Sequence, residues 1–278
     1  MSDDITKGYA NPDLLWSVQQ LRGRVGNPNL RIVDTRPGEA FAMGHIPGAY
    51  HFNTQYLTCD DTDEAPLNSF FRMWAYLLGQ RNVAFENTIV FYDDCSRSPC
   101  TRAFWKLELF GHADVHVLDG GYAAWQRAGL PSTRDAEMPE PANFKYGARR
   151  PELLATYHDI LSAIDDPDKV ILDARSAEER AGTDLRASRA GSIPNSVHID
   201  WTEHFTPEGT IKSAAELRAL FTAAGVTPDK EIISYCQSGG RSSHAYFVLR
   251  LLGYPRIRNY MGSWREWGNR EGMPITPP

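Results

Sequence analysis

The chain has 278 residues, enough for about two domains, each able to bury its own core. Its net charge of −6 offers no basic footprint for nucleic acid, and no apolar run approaches a membrane span, so neither partner is expected. Met1-Ser2-Asp3-Asp4 is acidic and lacks an apolar core region, so no signal peptide is expected. The four cysteines, Cys59, Cys95, Cys100 and Cys236, are spaced for neither a zinc site nor a disulfide framework. A reduced, cytoplasmic setting follows, with no metal or other cofactor expected.

In chain order, the first predicted strand is Arg31-Ile32-Val33-Asp34-Thr35-Arg36, an apolar run ending in Asp-x-Arg. A turn follows at Gly44-His45-Ile46-Pro47-Gly48-Ala49, then a second strand at Thr88-Ile89-Val90-Phe91-Tyr92. Leu118-Asp119-Gly120-Gly121-Tyr122-Ala123-Ala124-Trp125 and Gly129-Leu130-Pro131 close the half. Residues 132–150 are polar, contain two prolines and show no periodicity, which reads as a linker. The same series then recurs about 140 residues later: Val170-Ile171-Leu172-Asp173-Ala174-Arg175, Gly191-Ser192-Ile193-Pro194-Asn195-Ser196, Glu231-Ile232-Ile233-Ser234-Tyr235, Tyr260-Met261-Gly262-Ser263-Trp264-Arg265-Glu266-Trp267 and Gly272-Met273-Pro274. Matches in one order at a near-constant offset mean a duplicated domain, with halves at 1–131 and 151–278. Within each half, short apolar strands alternate with helical stretches. That pattern predicts an α/β fold in which each half is a parallel sheet flanked by helices on both faces. Ligands in such sheets sit beyond the carboxyl ends of the strands, where both Asp-x-Arg motifs fall.

The most informative stretch is Ser234-Tyr235-Cys236-Gln237-Ser238-Gly239-Gly240-Arg241-Ser242-Ser243-His244. A strand precedes it, and a helical pattern from Ala245 to Leu252 follows, stopping at Gly253. Backbone N–H groups of a Gly-rich loop at a helix N-terminus point at an anion, and the same positive end, with Arg241, favours thiolate over thiol. Four residues separate Cys236 from Arg241. Phosphatases built on a thiolate and a closing arginine use one more, so this cradle fits a sulfur atom carried on the cysteine better than a phosphoryl group. The segment from Cys236 to Arg241 resembles the active-site loop of the rhodanese family of sulfurtransferases. With the repeat, the chain from about Asn11 to Pro274 is similar to the two-domain members of that family.

The halves differ chemically. Aligning Tyr92 with Tyr235 puts Asp93 where Cys236 stands; counting back from Gly111 puts Asp94 there. Either acid would repel an anionic donor and cannot hold a sulfane sulfur, and Pro99 removes a loop donor. The N-terminal half is therefore expected to be non-catalytic, unless Cys95 or Cys100 is a second, resolving or regulatory thiol.

The resemblance implies an enzyme in which Cys236 takes a sulfane sulfur from a small anionic donor as a persulfide and passes it to cyanide or a thiol. The amides of Gln237, Ser238, Gly239, Gly240, Arg241 and Ser242 would stabilise the outer sulfur. Arg241 is expected to close the loop on carbonyls or a carboxylate, or else to hold the donor's sulfonate end. Arg180 is similar to a pocket-lining arginine of the family, and Arg186 or Arg189 is a further candidate. Arg175 is expected to pair with carboxylates inside its domain, and Trp264 and Trp267 to pack in the core or at the pocket rim. Ser238 and Ser242 are candidate hydroxyl donors. His244, which could tune Cys236, is expected on the helix surface. In the tandem family, Cys-Gly-Ser/Thr-Gly-Val-Thr loops go with 3-mercaptopyruvate and loops with basic side chains go with thiosulfate. Here Gln237 replaces the glycine and Gly240-Arg241 the Val-Thr pair, which favours thiosulfate over 3-mercaptopyruvate or a lipophilic or glutathione persulfide. A phosphatase or arsenate reductase, and a non-enzymatic sulfur carrier, are the other readings left open.

Overall fold

The computed structural model describes residues 7–95, 97–145 and 149–278. The expectations placed on residues 1–4, on Ser96 and on linker residues 146–148 lie outside that range.

The first half runs β1 (Leu15–Trp16), α1 (Val18–Arg22), β2 (Leu30–Asp34), α2 (Gly38–Met43), β3 (Ala49–His51), α3 (Glu64–Gly79), β4 (Thr88–Tyr92), α4 (Ser98–Leu109), β5 (Val115–Leu118) and α5 (Gly121–Arg127). The second runs β6 (Leu154–Ala155), α6 (Tyr157–Ala163), β7 (Lys169–Asp173), α7 (Ala177–Arg180), β8 (Val197–His198), α8 (Ala214–Ala223), β9 (Glu231–Tyr235), α9 (Gly240–Leu251), β10 (Ile257–Tyr260) and α10 (Ser263–Trp267). Each half is a five-stranded parallel sheet, ordered β1-β5-β4-β2-β3 and β6-β10-β9-β7-β8. The two orders are the same once the second set is renumbered, so the duplication seen in the sequence is a duplication of topology.

Local signals explain where the helices begin. Ser17, Thr156, Ser176 and Ser213 each accept from the backbone three residues on, and the side chains of Gln20, Asp159, Glu179 and Glu216 reach back to the capping residues. These reciprocal caps satisfy donors that would otherwise be orphaned in a helix's first turn. The central strands β4 and β9 are buried from their second residue onward. Such near-continuous apolar runs suit strands covered on both faces.

Two outer layers and one shared inner layer bury the apolar side chains. Leu21, Phe41, Tyr122 and Trp125 cover one face of the first sheet. Tyr157, Ile160, Trp264 and Trp267 cover the corresponding face of the second. Between the sheets, α3, α4, α8 and α9 contribute to a single core spanning both halves. There α4 lies against α9, with Phe104 and Phe247 edge-to-face at a centroid separation of 4.7 Å. At its far end, Glu108 takes Arg250 at 2.8 Å and the hydroxyl of Tyr246 at 2.8 Å.

The segment expected to be a linker packs along the first half. Ala142 N–H donates to Gly79 O, and Phe144 is buried beside Phe85 and Phe110. Among the described residues, no helix is long and apolar enough to cross a membrane.

Because Phe247 fills the contact between α4 and α9, Phe247→Ala should destabilise the protein by about 3–5 kcal/mol. Thermal unfolding beside wild type measures this; an unchanged melting temperature would show that this contact does not hold the halves together.

Candidate active site

The strand β9 ends at Tyr235 and α9 begins at Gly240, so Cys236 stands at the carboxyl end of a central strand and just before a helix N-terminus. Gly239 has φ +79°, and a Cβ there would lie 2.7 Å from Met261 O, so only glycine takes this turn without strain. The ring is tied from within by Ser263, whose Oγ accepts from Cys236 N–H at 3.1 Å and Gly239 N–H at 3.1 Å and donates to Tyr260 O at 2.8 Å. Ser263 itself sits at φ +53°, a conformation rare for a side-chain-bearing residue.

Cys236 is buried, and burial alone would push its thiol up. The charge of Arg241, the Ser242 hydroxyl at 3.6 Å from Sγ, and the N–H groups of Ser242 and Ser238 outweigh it, so the thiol falls below its ordinary value. Arg241 closes the loop as expected: both terminal guanidinium nitrogens bind the buried carboxylate of Glu179. Burial would push Glu179 up, and Arg241 brings it below its ordinary value. Glu179 is also the capping acceptor for Ser176 N–H, so one carboxylate joins the start of α7 to the end of the cysteine loop. Gln237 donates to Arg186 O at 2.7 Å, fastening the loop to the adjoining polar segment.

Behind the loop, Asp173 accepts from the Arg175 guanidinium through Nη2 at 2.8 Å and Nε at 3.0 Å, from the Arg175 N–H at 3.0 Å, and from Tyr235 Oη at 2.7 Å. Arg175 also bonds Gly191 O and lies over Trp264, which is the structural role expected for both residues. The first half repeats this arrangement with Asp34, Arg36 and Gly44.

Arg180 is a correction. Its guanidinium is spent on Asp173 at 3.0 Å, Ser196 Oγ at 3.1 Å and Ser196 O at 3.0 Å. It does not line the cleft, because α7 ends with the side chain folded onto its own domain. Arg189 is likewise consumed by the carbonyls of Trp267, Gly268, Arg270 and Met273. Arg186 is the arginine of this segment that lines the cleft. His244 is a second correction: it is fully buried rather than on the helix surface. It stacks on Phe205 and His204, and burial depresses it well below the ordinary histidine value.

The cleft over Cys236 measures about 680 Å³ and takes walls from both halves. Tyr56, Asp93, Asp94, Ser98 and Arg102 come from the first, and Trp201, Gln237, Ser238, Gly240 and Arg265 from the second. Arg102 is buried on α4 and donates to the carbonyls of Thr54 and Gln55, and to Ser238 O at 3.2 Å. Burial brings it down to about 10, still protonated at neutral pH.

The first-half loop shows which acid replaces the cysteine. Tyr122 N–H donates to Asp93 O at 2.8 Å, as Trp264 N–H does to Cys236 O at 2.9 Å, and Ala123 meets Asp94 as Arg265 meets Gln237. Asp93 therefore holds the cysteine's place. Its Oδ1 accepts from the N–H groups of Cys95 and Arg97, filling the ring with its own carboxylate. Burial pushes Asp93 up, and it pushes the thiols of Cys95 and Cys100 up as well.

Sequence reasoning missed Ser263 and Arg102. For Ser263 a signal was present: it stands opposite Gly121 in the repeat, and Gly121 has the same left-handed backbone at φ +55°. Arg102 carries no local signal, since its role depends on the packing of one half against the other. Among the described residues, no cluster of His, Cys, Asp and Glu is arranged to hold a metal ion.

The rhodanese-like domain family matches residues 17–128 and again 156–270. The chain is 34% identical to the sulfur carrier protein TtuD of Thermus thermophilus, covering 97% of this chain and 98% of that one. It is 32% identical to a thiosulfate sulfurtransferase of Pseudomonas aeruginosa, covering 96% and 98%. Among solved structures, SseA of Escherichia coli, described as a 3-mercaptopyruvate sulfotransferase, superposes with a TM-score of 0.79 at 30% identity, over 90% of this chain and 98% of that one. The anaerobic ergothioneine biosynthesis enzyme of Chlorobium limicola shares the fold, with a TM-score of 0.82 at 22% identity, over 97% of this chain and 71% of that one. Two rhodanese-like domains in one chain, one cysteine loop intact and the other closed by an aspartate, identify the protein as a tandem-domain member of the rhodanese family of sulfurtransferases.

Proposed function

We propose that this sulfurtransferase moves the outer sulfur of thiosulfate to a thiol or to cyanide through a persulfide on Cys236. The carrying observation is a thiolate-prone cysteine at the N-terminus of α9, ringed by N–H donors at the floor of an arginine-lined cleft. In the first step the Cys236 thiolate attacks the outer sulfur of thiosulfate. A new S–S bond forms, the old one breaks, and sulfite leaves with its electron pair. In the second step the acceptor's thiolate, or cyanide, attacks the outer persulfide sulfur, and Cys236 departs as thiolate. The loop amides from Gln237 to Ser242 stabilise the anionic outer sulfur in between.

The catalytic domain in this reading is residues 151–278, with 1–131 as a scaffold that supplies the opposite wall and 132–150 as the connection. The setting proposed is the reducing cytoplasm, which keeps the thiolate available. The terminal nitrogens of Arg241 are engaged by Glu179 rather than held open for a phosphoryl group, which together with the short loop disfavours the phosphatase reading.

Cys236→Ser should abolish sulfur transfer while leaving the fold intact, because a serine hydroxyl neither ionises here nor accepts sulfane sulfur. Mass spectrometry of wild type treated with thiosulfate should find one added sulfur on Cys236; transfer by the serine variant at the wild-type rate would sink the assignment.

The thiols of Cys95 and Cys100 are both shifted away from thiolate, so replacing the two together with serine should leave thiosulfate:cyanide turnover within a fewfold of wild type. Loss of orders of magnitude in a folded variant would show that they take part in the chemistry.

Donor preference follows from charge: thiosulfate is a dianion, and two like charges ~4 Å apart repel by about 4 kcal/mol at an effective dielectric near 20, so a cationic cleft favours it most. The value of kcat/KM with cyanide as acceptor should be higher for thiosulfate than for 3-mercaptopyruvate. A clear preference for mercaptopyruvate would reject this donor and leave a sulfurtransferase of the other type.

A further inference from the structure

The arginines around the cleft are mostly neutralised by their own neighbours. Arg241 is held by Glu179, Arg36 by Asp34 at 2.6 Å, Arg186 by Asp184 at 2.7 Å and Arg265 by Asp60 at 3.4 Å. Arg97 is exposed at the mouth, where water screens its charge. Arg102 differs from all of them. It is 4% exposed, its bonds go to the carbonyls of Thr54, Gln55 and Ser238, and among the described residues no carboxylate pairs with it. A buried cation bonded only to neutral dipoles lacks the counter-charge that buried ions ordinarily have.

Its neighbours identify where that counter-charge comes from. The guanidinium rests against Gly240, where a Cβ would collide with Nη2, so the glycine is what lets the cation reach the loop. It lies close enough to Cys236 for the thiolate's charge to act on it, and the other charges that bear on it, Arg241 and Arg265, are repulsive.

We propose that Arg102, supplied by the non-catalytic half, is the uncompensated cation of the active site: it binds the negative end of the incoming oxyanion-bearing sulfur donor and favours the anionic state of the Cys236 sulfur. The cysteine and its ring belong to one half, and the charge that admits an anionic substrate belongs to the other. This assignment rests on the sulfurtransferase reading of the cleft, and its test uses a different chemistry.

The experiment compares alkylation of Cys236 by iodoacetamide, which is neutral, and iodoacetate, an anion of similar size. In each case the thiolate displaces iodide, and the modified peptide is quantified by mass spectrometry. In Arg102→Gln the ratio of iodoacetate to iodoacetamide rates should fall about tenfold from wild type, the scale expected for one unscreened charge at the site. Arg102→Lys keeps the charge without the planar fork and should retain most of the ratio. If Arg102→Gln fails to fold, Arg102→Met keeps the apolar stem and replaces it in the comparison. A ratio unchanged in the neutral variant, with both rates lowered together, would show that Arg102 only braces the loop and would overturn the inference. A ratio lost equally in the lysine variant would overturn it too, since charge would not be the cause. Thiosulfate loading of wild-type Cys236, measured in parallel, reports on the sulfurtransferase reading separately, because alkylation selectivity does not depend on sulfur transfer.

Discussion

The packing of α4 along α9 is the contact on which the site depends. Both helices start at the carboxyl end of a central strand, and both are preceded by the loop that defines their half. Laying one against the other turns the two loops toward a common cleft, so the cysteine ring of the second half faces the aspartate-filled ring of the first. The shared inner core, the Phe104–Phe247 contact and the ionic cluster of Glu108, Arg250 and Tyr246 are consequences of that one pairing. A helix pair ordinarily buries apolar surface. Here it also sets the position of a cation on one helix relative to a nucleophile at the head of the other.

Electrostatics in the cleft is decided by pairing rather than by the number of basic residues. The Asp-x-Arg of each half is internally satisfied and holds the strand ends in place. Arg241, the closing residue of the ring, is bound to Glu179 and acts on Cys236 from a fixed position. That fixed geometry matters because a preorganised donor set costs no rearrangement when charge moves onto the sulfur.

Much of this was legible in the sequence. The duplication, the two parallel sheets, the cysteine ring, the structural role of Arg175 and the acid in place of the first-half nucleophile all follow from local patterns repeated at a constant offset. What was not legible depends on long-range packing. Arg180 reads as a pocket arginine until α7 is seen to end against Asp173 and Ser196. His244 reads as a residue of the helix surface, yet α9 runs between the second sheet and the first half, and the histidine is fully buried. The partner of Arg241 lies in a short helix of its own domain, and Arg102 lies in the other half. Sequence spacing carries no information about either approach.

Ser263 illustrates what the duplication left behind. The same left-handed turn exists in both halves, filled by glycine in the first and by serine in the second. A non-glycine residue there costs on the order of 1–3 kcal/mol of backbone strain. The hydroxyl recovers something glycine cannot supply, since it ties the first residue of the cysteine ring to the turn at its middle. Glycine at 263 would relieve the turn but leave the buried N–H groups of Cys236 and Gly239 without this acceptor, at a cost of about 1–3 kcal/mol each. A search for more stable variants by random mutation would therefore pass over glycine at 263, although glycine is what the twin position in the first half keeps.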